Sequence, residues 1–163
     1  MLPAGRGDRT LRWPRLPMAG RGLTGGGMAR PSLFFTPTEA NALLPSVRKI
    51  LERATTQFRR HNHLMHALRN GQVVPGKRAA VLREVERLRG EINDDLESLQ
   101  DLGIEIKGLQ EGLIDFPALR NGEEVCLCWR LGEERVGWWH PLTTGVQGRQ
   151  VLNPEDGSWE IWN

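Results

Sequence analysis

The sequence predicts an α+β fold in which a long, coiled-coil-like antiparallel hairpin of two helices precedes a small three-stranded antiparallel sheet. Three observations lead to this fold class. Apolar residues recur at alternating steps of three and four over residues 44–68 and again over residues 81–102. Beyond Gly103 the apolar period becomes two, which is typical of strands. The 163 residues provide one core and not two full domains.

The first 32 residues are predicted to be a disordered, basic, Gly/Pro-rich tail. Residues 1–27 hold five Arg and one Asp, so they carry +4 while the rest of the chain carries −2. The basic character of the sequence is therefore no argument for a nucleic-acid-binding body. No continuous apolar stretch follows the basic start, so an export signal is not predicted. We expect Met28, which follows three glycines, to be the true start.

The first helix begins at a capping box. Thr36 supplies the N-cap hydroxyl, Pro37 suits the first helical position and Glu39 occupies the third. Pro45 removes a backbone donor inside the helix, so we expect a kink or a short first helix near Leu44. The apolar seam of this helix comprises Leu44, Val47, Leu51, Ala54, Phe58, His61, Met65 and Leu68.

The second helix follows a turn at residues 70–76 and ends at Gly103. If the chain folds back as an antiparallel hairpin over residues 33–103, Leu44 faces Leu102, and one register serves nearly the whole seam. The seam of this helix comprises Val81, Val85, Leu88, Ile92, Asp95, Leu99 and Leu102.

The sheet is predicted within residues 104–150. Residues 104–107 alternate as one strand, and residues 124–142 form a β-hairpin around a turn at 132–134. Asn121-Gly122 marks another turn. Residues 151–163 are predicted to be a loose tail, or at most an edge strand. One face of the second strand carries Val125, Leu127, Trp129 and Leu131, and the other carries Cys126, Cys128 and Arg130.

Cys126 and Cys128 are the only cysteines of the chain. Neighbours on one strand make a poor disulfide, and the C-x-C spacing lacks the further ligands of a zinc site. We therefore expect reduced thiols in a cytoplasmic protein. The longest apolar runs are only a few residues, so no membrane association is expected.

Two groups of motifs resemble a known family. The first is FT at residues 35–36 with EANALLP at 39–45. The second is GIEIK at 103–107, GLIDFPAL at 112–119, VCLCWRLG at 125–132, WH at 139–140 and GRQ at 148–150. Residues 33–151 thus resemble the uncharacterised bacterial family catalogued as domain of unknown function 2203. The resemblance implies small cytoplasmic proteins with a helical hairpin, a strand-rich end and no assigned chemistry. The family often has Tyr at the position of Cys126.

The strand-rich end concentrates side chains that suit an anionic small molecule. Arginines beside an aromatic wall bind carboxylate or phosphate groups, and an Asp near a His is typical of an acid/base pair. The candidate ligand-binding residues are Asp115, Arg120, Trp129, Arg130, His140 and Arg149, with Glu124, Trp138 and Trp139 nearby in sequence. The alternative is that Asp115 caps a turn, His140 ends a strand and the tryptophans form the core. The sequence has no phosphate-binding loop, nucleophile elbow or dinucleotide fingerprint, so catalysis is disfavoured.

Charge is segregated along the predicted hairpin. Residues 57–83, at its tip, contain six basic residues and no acid, whereas residues 84–105 contain eight acids and two Arg. A basic tip suits a polyanion such as nucleic acid, but it lacks the aromatic side chains that stack on bases. A solvated tip whose charge orients the head-to-tail association of two chains is favoured over polyanion binding. The basic tip residues are Arg59, Arg60, Arg69, Lys77, Arg78 and Arg83.

Three histidines in the first helix raise the question of a metal. Only His63 and His66 have a spacing that shares a helix face with each other, while His61 belongs to the seam. No Cys or acidic residue between Gln57 and Arg83 completes a site, so neither a metal nor another cofactor is predicted.

The leading functional hypothesis is a non-enzymatic interaction module that forms a homodimer or binds a partner helix through its hairpin. It rests on apolar residues that flank the seam and need a cover, namely Leu43, Ile50, Leu64, Leu82 and Leu96. Two alternatives stay open. One is an anionic-metabolite-binding protein or small enzyme with its site at the strand-rich end, and the other is polyanion binding by the basic tip.

Overall fold

The structure, a computed structural model, describes residues 34–159. The tail predicted over residues 1–32 and the last four residues, 160–163, lie outside the described residues. Helix α1 spans Pro37–Arg69 and helix α2 spans Arg78–Asp101. The strands are β1 (Glu105–Gly108), β2 (Leu113–Arg120), β3 (Glu123–Arg130), β4 (Trp138–Pro141) and β5 (Gln150–Val151), with short 3-10 helices at Pro75–Lys77 and Gly145–Gly148.

The mixed α+β class is confirmed, but the predicted number of strands is wrong. One sheet of five strands follows the helices, in the order β1-β2-β3-β4-β5, and all neighbours are antiparallel. The three predicted strands correspond to β1, β3 and β4. Strands β2 and β5 are the two that were not predicted. Strand β5 has only two residues and therefore carries no periodicity.

Strand β2 was missed because it is buried on both faces and contains a proline. Its residues 113–116 are all buried, so apolar and polar positions do not alternate. Pro117 argues against a central strand because it lacks a backbone donor. In the structure β1 pairs only with residues 113–115, so Pro117 lies beyond the end of β1. There the Pro117 carbonyl instead accepts a hydrogen bond from the backbone of Phe35, at 2.6 Å.

Helix α1 begins as its sequence predicts. The Thr36 hydroxyl accepts from the backbone N–H of Glu39 at 3.2 Å, and the Glu39 carboxylate accepts from the backbone N–H of Thr36 at 2.9 Å. The helix is one continuous element through Pro45, so the expected alternative of a short first helix is wrong. Pro45 is exposed, which leaves its ring on the solvent side of the helix.

The two helices lie against each other and run antiparallel. The Arg53 guanidinium binds Asp95 with its Nε donating to Oδ2 at 2.9 Å, and Arg60 pairs with Glu84 at 3.1 Å. Later residues of α1 therefore meet earlier residues of α2. Asp95, the buried acid of the predicted seam, is neutralised by the Arg53 side chain, which reaches it from the exposed surface.

The predicted seam is buried along only part of its length. In the half of the pair near the sheet, seam residues of both helices are buried, among them Leu51 and Leu99. In the other half, which we call the distal helix pair (residues 57–85), only Leu68 and Val85 of the seam are buried. The distal seam residues that are only half-buried are Phe58, His61, Met65 and Val81. Two helices alone cannot enclose the seam once the sheet no longer covers them.

The hydrophobic core lies between one face of the sheet and the sheet-proximal half of the helices. Its fully buried members include Phe116 and Leu127 from the sheet and Val47 and Leu51 from α1. Phe35, just before α1, packs edge-on against Phe116 with ring centroids 5.3 Å apart. The core thereby fixes the sheet to one end of the helix pair.

The turn between β2 and β3 is the predicted Asn121-Gly122 turn. Both residues have positive φ, 51° and 79°, which matches a two-residue hairpin connection. This turn aligns β2 with β3 over eight residue pairs. Within residues 34–159, neither helix combines the length and hydropathy that crossing a bilayer requires.

Candidate functional site

The face of the sheet that points away from the helices carries buried polar side chains. In the register of the sheet, Asp115 of β2 lies opposite Cys128 of β3, and Cys126 of β3 lies opposite His140 of β4. Directly opposed residues of antiparallel strands project on the same face, so these four side chains are neighbours. The exposed fraction of the residue is 1% for Asp115, 0% for Cys128 and 3% for His140.

Asp115 and His140 form a direct pair. The His140 Nε2 lies 2.9 Å from Oδ2 of Asp115, and the Nδ1 lies 2.9 Å from the backbone oxygen of Pro141. A carbonyl oxygen only accepts hydrogen bonds, so the contact with Pro141 is a hydrogen bond when Nδ1 carries the ring hydrogen. In that tautomer Nε2 presents its lone pair towards the Asp115 carboxylate, an arrangement that suits a shared positive ion.

The second oxygen of the Asp115 carboxylate is unsatisfied. Its Oδ1 is buried and has no hydrogen-bond partner among the described residues. Leaving a buried carboxylate oxygen without a partner costs free energy, since the group has lost its contact with water. Such an atom is therefore a reason to look for a bound species at this position.

The two thiols are held in their neutral form. Burial, with a smaller effect from the nearby Asp115 carboxylate, raises the pKa of Cys126 and of Cys128 to about 12. Neither thiol is therefore a nucleophile at neutral pH in this state. The Sγ of Cys128 belongs to a group of three ligand atoms, with one each from Asp115 and His140, that all lie within 4.8 Å of one another.

Arg149 lies beside this cluster. Its guanidinium stacks on the ring of Trp138, 5.1 Å from the ring centroid, and pairs with Glu133 at 2.7 Å. Burial lowers the pKa of Arg149, but the hydrogen bond to Glu133 and the other nearby groups outweigh this and leave the pKa above its usual value. Arg149 is thus a charge already compensated by Glu133.

Three of the six predicted ligand-binding residues lie elsewhere. Trp129 is fully buried on the opposite face of the sheet, in the core, and its Nε1 donates to the Glu133 carbonyl at 3.1 Å. Arg120 stacks on Trp139, 4.5 Å from the ring centroid, at the other side of the sheet. Arg130 is exposed. The structure brings Asp115, His140 and Arg149 near one another and leaves the rest apart.

Cys128 is the functional candidate that sequence reasoning missed. The alternation of β3 correctly placed Cys126 and Cys128 on the face opposite Trp129. No pattern in the sequence indicates that Asp115 belongs to a neighbouring strand, because β2 lacks the alternation of a half-buried strand. Without the register of β2 against β3, no ligand-type side chain could be placed beside the cysteines. The pairing of these two strands is the signal that reveals the cluster.

A second candidate surface is the distal helix pair. Arg60 is paired with Glu84, and Arg59 donates to the backbone oxygen of Gln110 at 3.0 Å. The other four basic tip residues are exposed, namely Arg69, Lys77, Arg78 and Arg83. Leu82 lies among them with 45% of its surface exposed.

The apolar residues that flank the seam divide into two groups. Leu43 and Ile50 are partly buried and pack against the core, so the sheet covers them. Leu64 and Leu96 are half-buried, and neither belongs to the core that the sheet closes. Leu64 and Leu82 thus leave apolar surface on the distal helix pair, whereas Leu96 lies on the sheet-proximal half of α2.

These features define a small α+β protein in which an antiparallel helix pair packs on a five-stranded antiparallel sheet and extends beyond it. A family model described as "Uncharacterized conserved protein (DUF2203)" matches residues 33–152. The chain belongs to this family, as its motifs indicated. Comparison with curated proteins and with solved structures gives no significant match.

Proposed function

We propose that the protein is an interaction module that self-associates through its distal helix pair. The observation that carries this proposal is the incomplete burial of the distal seam, where Phe58, Met65 and Val81 are only half-buried and Leu82 is exposed. Helix pairs gain most of their stability from buried apolar faces, so a second pair laid against this apolar surface would enclose it as a four-helix arrangement.

The arrangement of charge favours a second copy of the chain as the occupant. The distal helix pair exposes Arg69, Lys77, Arg78 and Arg83, whereas the sheet-proximal part of α2 exposes Glu86, Asp94, Glu97 and Asp101. In a two-fold dimer with the pairs antiparallel, the basic tip of each copy lies beside the acidic part of the other. Helix α1 is about 50 Å long, which gives the two copies a long common surface.

The strand-rich end gives less support for a metabolite site. Of the predicted set, Trp129 is in the core and Arg120 is engaged with Trp139 and with Asp156, at 3.3 Å. Arg149 is compensated by Glu133. Arg130 is exposed, whereas Asp115 and His140 are closed to solvent, so an organic anion bound by Arg130 at the surface would not reach the buried pair.

The test is the molar mass of the full chain by size-exclusion chromatography with light scattering. We expect wild-type protein to be a dimer and the double variant Leu64→Glu, Leu82→Glu to be a monomer, because two buried carboxylates disfavour the interface. The control is Val151→Glu, which introduces one Glu at an exposed apolar residue of β5, away from the helices, and should stay dimeric. High salt should weaken the wild-type dimer through the charge pairing.

A wild-type monomer at high protein concentration would contradict self-association, as would a double variant that keeps the mass of the dimer. Retention of wild-type protein on immobilised DNA at physiological salt, lost on substituting Arg78 and Arg83 by Gln, would favour polyanion binding instead.

A further inference from the structure

The buried cluster on the outer face of the sheet has the composition of a transition-metal site. It offers one carboxylate oxygen, one imidazole nitrogen and one sulfur, from Asp115, His140 and Cys128, with all three atoms within 4.8 Å of one another. The three residues lie on three adjacent strands, β2, β3 and β4, whose hydrogen bonds hold them in register. Ligands on a sheet keep their positions better than ligands on loops.

The hydrogen bond of His140 prepares it as a ligand. Because Nδ1 donates to the Pro141 carbonyl, Nε2 is the nitrogen left to bind an ion. A metal-binding histidine usually donates its other ring N–H to a carbonyl or carboxylate in this way. Apart from the two thiols beside it, the Asp115 Oδ1 has no donor among the described residues, so a positive species at the cluster would complete its bonding.

We propose that Asp115, Cys128 and His140 bind one divalent transition-metal ion, for which Zn²⁺ is the best match. Sulfur and imidazole nitrogen together with a carboxylate are ligands that zinc accepts in tetrahedral sites, whereas Mg²⁺ and Ca²⁺ require sets made almost entirely of oxygen. This site is independent of self-association, because it lies on the sheet and not on the distal helix pair.

The ligand set balances the charge of a divalent ion. Bound to the metal, the Cys128 thiolate and the Asp115 carboxylate offset its two positive charges. The neutral thiol must lose its proton to bind as a thiolate, so metal binding releases the proton of Cys128. A buried site favours such a neutral complex, since an uncompensated charge is costly there.

The other charged groups around the cluster are paired among themselves. On β1, Lys107 binds Glu105 at 2.6 Å, and beside β3 and β4 Arg149 binds Glu133 at 2.7 Å. Each pair has no net charge, so neither replaces the metal as the partner of Asp115.

The experiment uses the full chain, freed of metal by a chelator and then titrated with Zn²⁺ or Co²⁺. Calorimetry in two buffers of different ionisation enthalpy measures the protons released. Co²⁺ gives a thiolate-to-metal absorption band that reports the bond to sulfur. The variants are Cys128→Ser and, as a matched control on the same strand and face, Cys126→Ser, whose sulfur is not among the three grouped atoms.

Wild-type protein and Cys126→Ser should each bind one ion per chain, release protons and melt at a higher temperature with Zn²⁺ than in chelator. Cys128→Ser should lose the Co²⁺ band and bind Zn²⁺ at least about 10-fold more weakly. If Cys128→Ser fails to fold, the wild-type proton count and Co²⁺ band still test the site. Absence of binding by the wild type would overturn the proposal, and so would a Co²⁺ band that survives Cys128→Ser.

Discussion

One half of the helix pair is covered by the sheet and the other is not. The same Leu→Ala substitution should therefore lower the free energy of unfolding by different amounts in the two halves. Leu51 has no exposed surface and lies in the core between α1 and the sheet, whereas Leu82 on α2 is 45% exposed. Leu51→Ala should lower the free energy of unfolding by about 3–5 kcal/mol, which includes the lost apolar contacts and the cavity left behind. Leu82→Ala should lower it by about 1 kcal/mol or less at concentrations where the chain is monomeric.

The assay is urea unfolding followed by far-UV circular dichroism, with equal m-values required before the free energies are compared. The measurement is then repeated at a protein concentration that favours the dimer. The cost of Leu82→Ala should rise there, because association stabilises only the folded wild type by mass action, whereas the cost of Leu51→Ala should change little. Equal costs for the two substitutions in dilute protein would refute the assignment of the core to the sheet-proximal half.

Two further predictions concern glycine and pH. Gly112→Ala should lower the free energy of unfolding by more than about 1 kcal/mol, since φ is +66° and the new Cβ would lie 2.4 Å from the Leu131 side chain. Gly90 lies in open space on α2, so Gly90→Ala should raise the free energy of unfolding by about 1 kcal/mol. Burial raises the pKa of the Cys126 and Cys128 thiols to about 12, from 9.0. Metal-free protein should therefore lose stability as pH rises from about 9 towards 12, because unfolded thiols ionise first. Urea unfolding across this range should show a smaller loss for Cys128→Ser, and an unchanged loss would contradict the assignment.

The helices were predictable because their signals are local. The capping box at Thr36, the alternating apolar spacing and the positive-φ glycine at Gly103 each act within a few residues, and α1 and α2 begin and end close to where these signals place them. The burial of the seam was not predictable in the same way. Whether Phe58 and Leu51 differ in exposure depends on how far the sheet extends along the pair.

The strands depend more on tertiary pairing than on local sequence signals. Strand β3 alternates in sequence and was predicted, while β2 is buried on both sides and contains Pro117. Its pairing becomes clear only once β3 and the backbone of Phe35 are seen to satisfy its hydrogen-bonding groups. The short β5 pairs with β4 through two residues and depends entirely on that neighbour.

The candidate ligand residues also divide into those that the sequence identified and those that only the fold could place. Asp115 and His140 were named from the sequence as a pair, and they meet at 2.9 Å. Trp129 was grouped with them because it is close in sequence, but alternate residues of a strand project on opposite faces, and Trp129 lies in the core. Cys128, next to Trp129 in the chain, projects on the same face as Asp115 and thereby joins the cluster.

The sequence by itself determined the α+β class, both helices, the turn at Asn121-Gly122 and the family, because caps, apolar periods, turn residues and motifs are encoded by neighbours in the chain. Only the tertiary structure decided which side chains share a face of the sheet and which part of the helix pair stays uncovered. Both depend on the register and extent of pairing between segments far apart in the chain, and a one-residue change of register would move Asp115 to the opposite face of the sheet, away from His140.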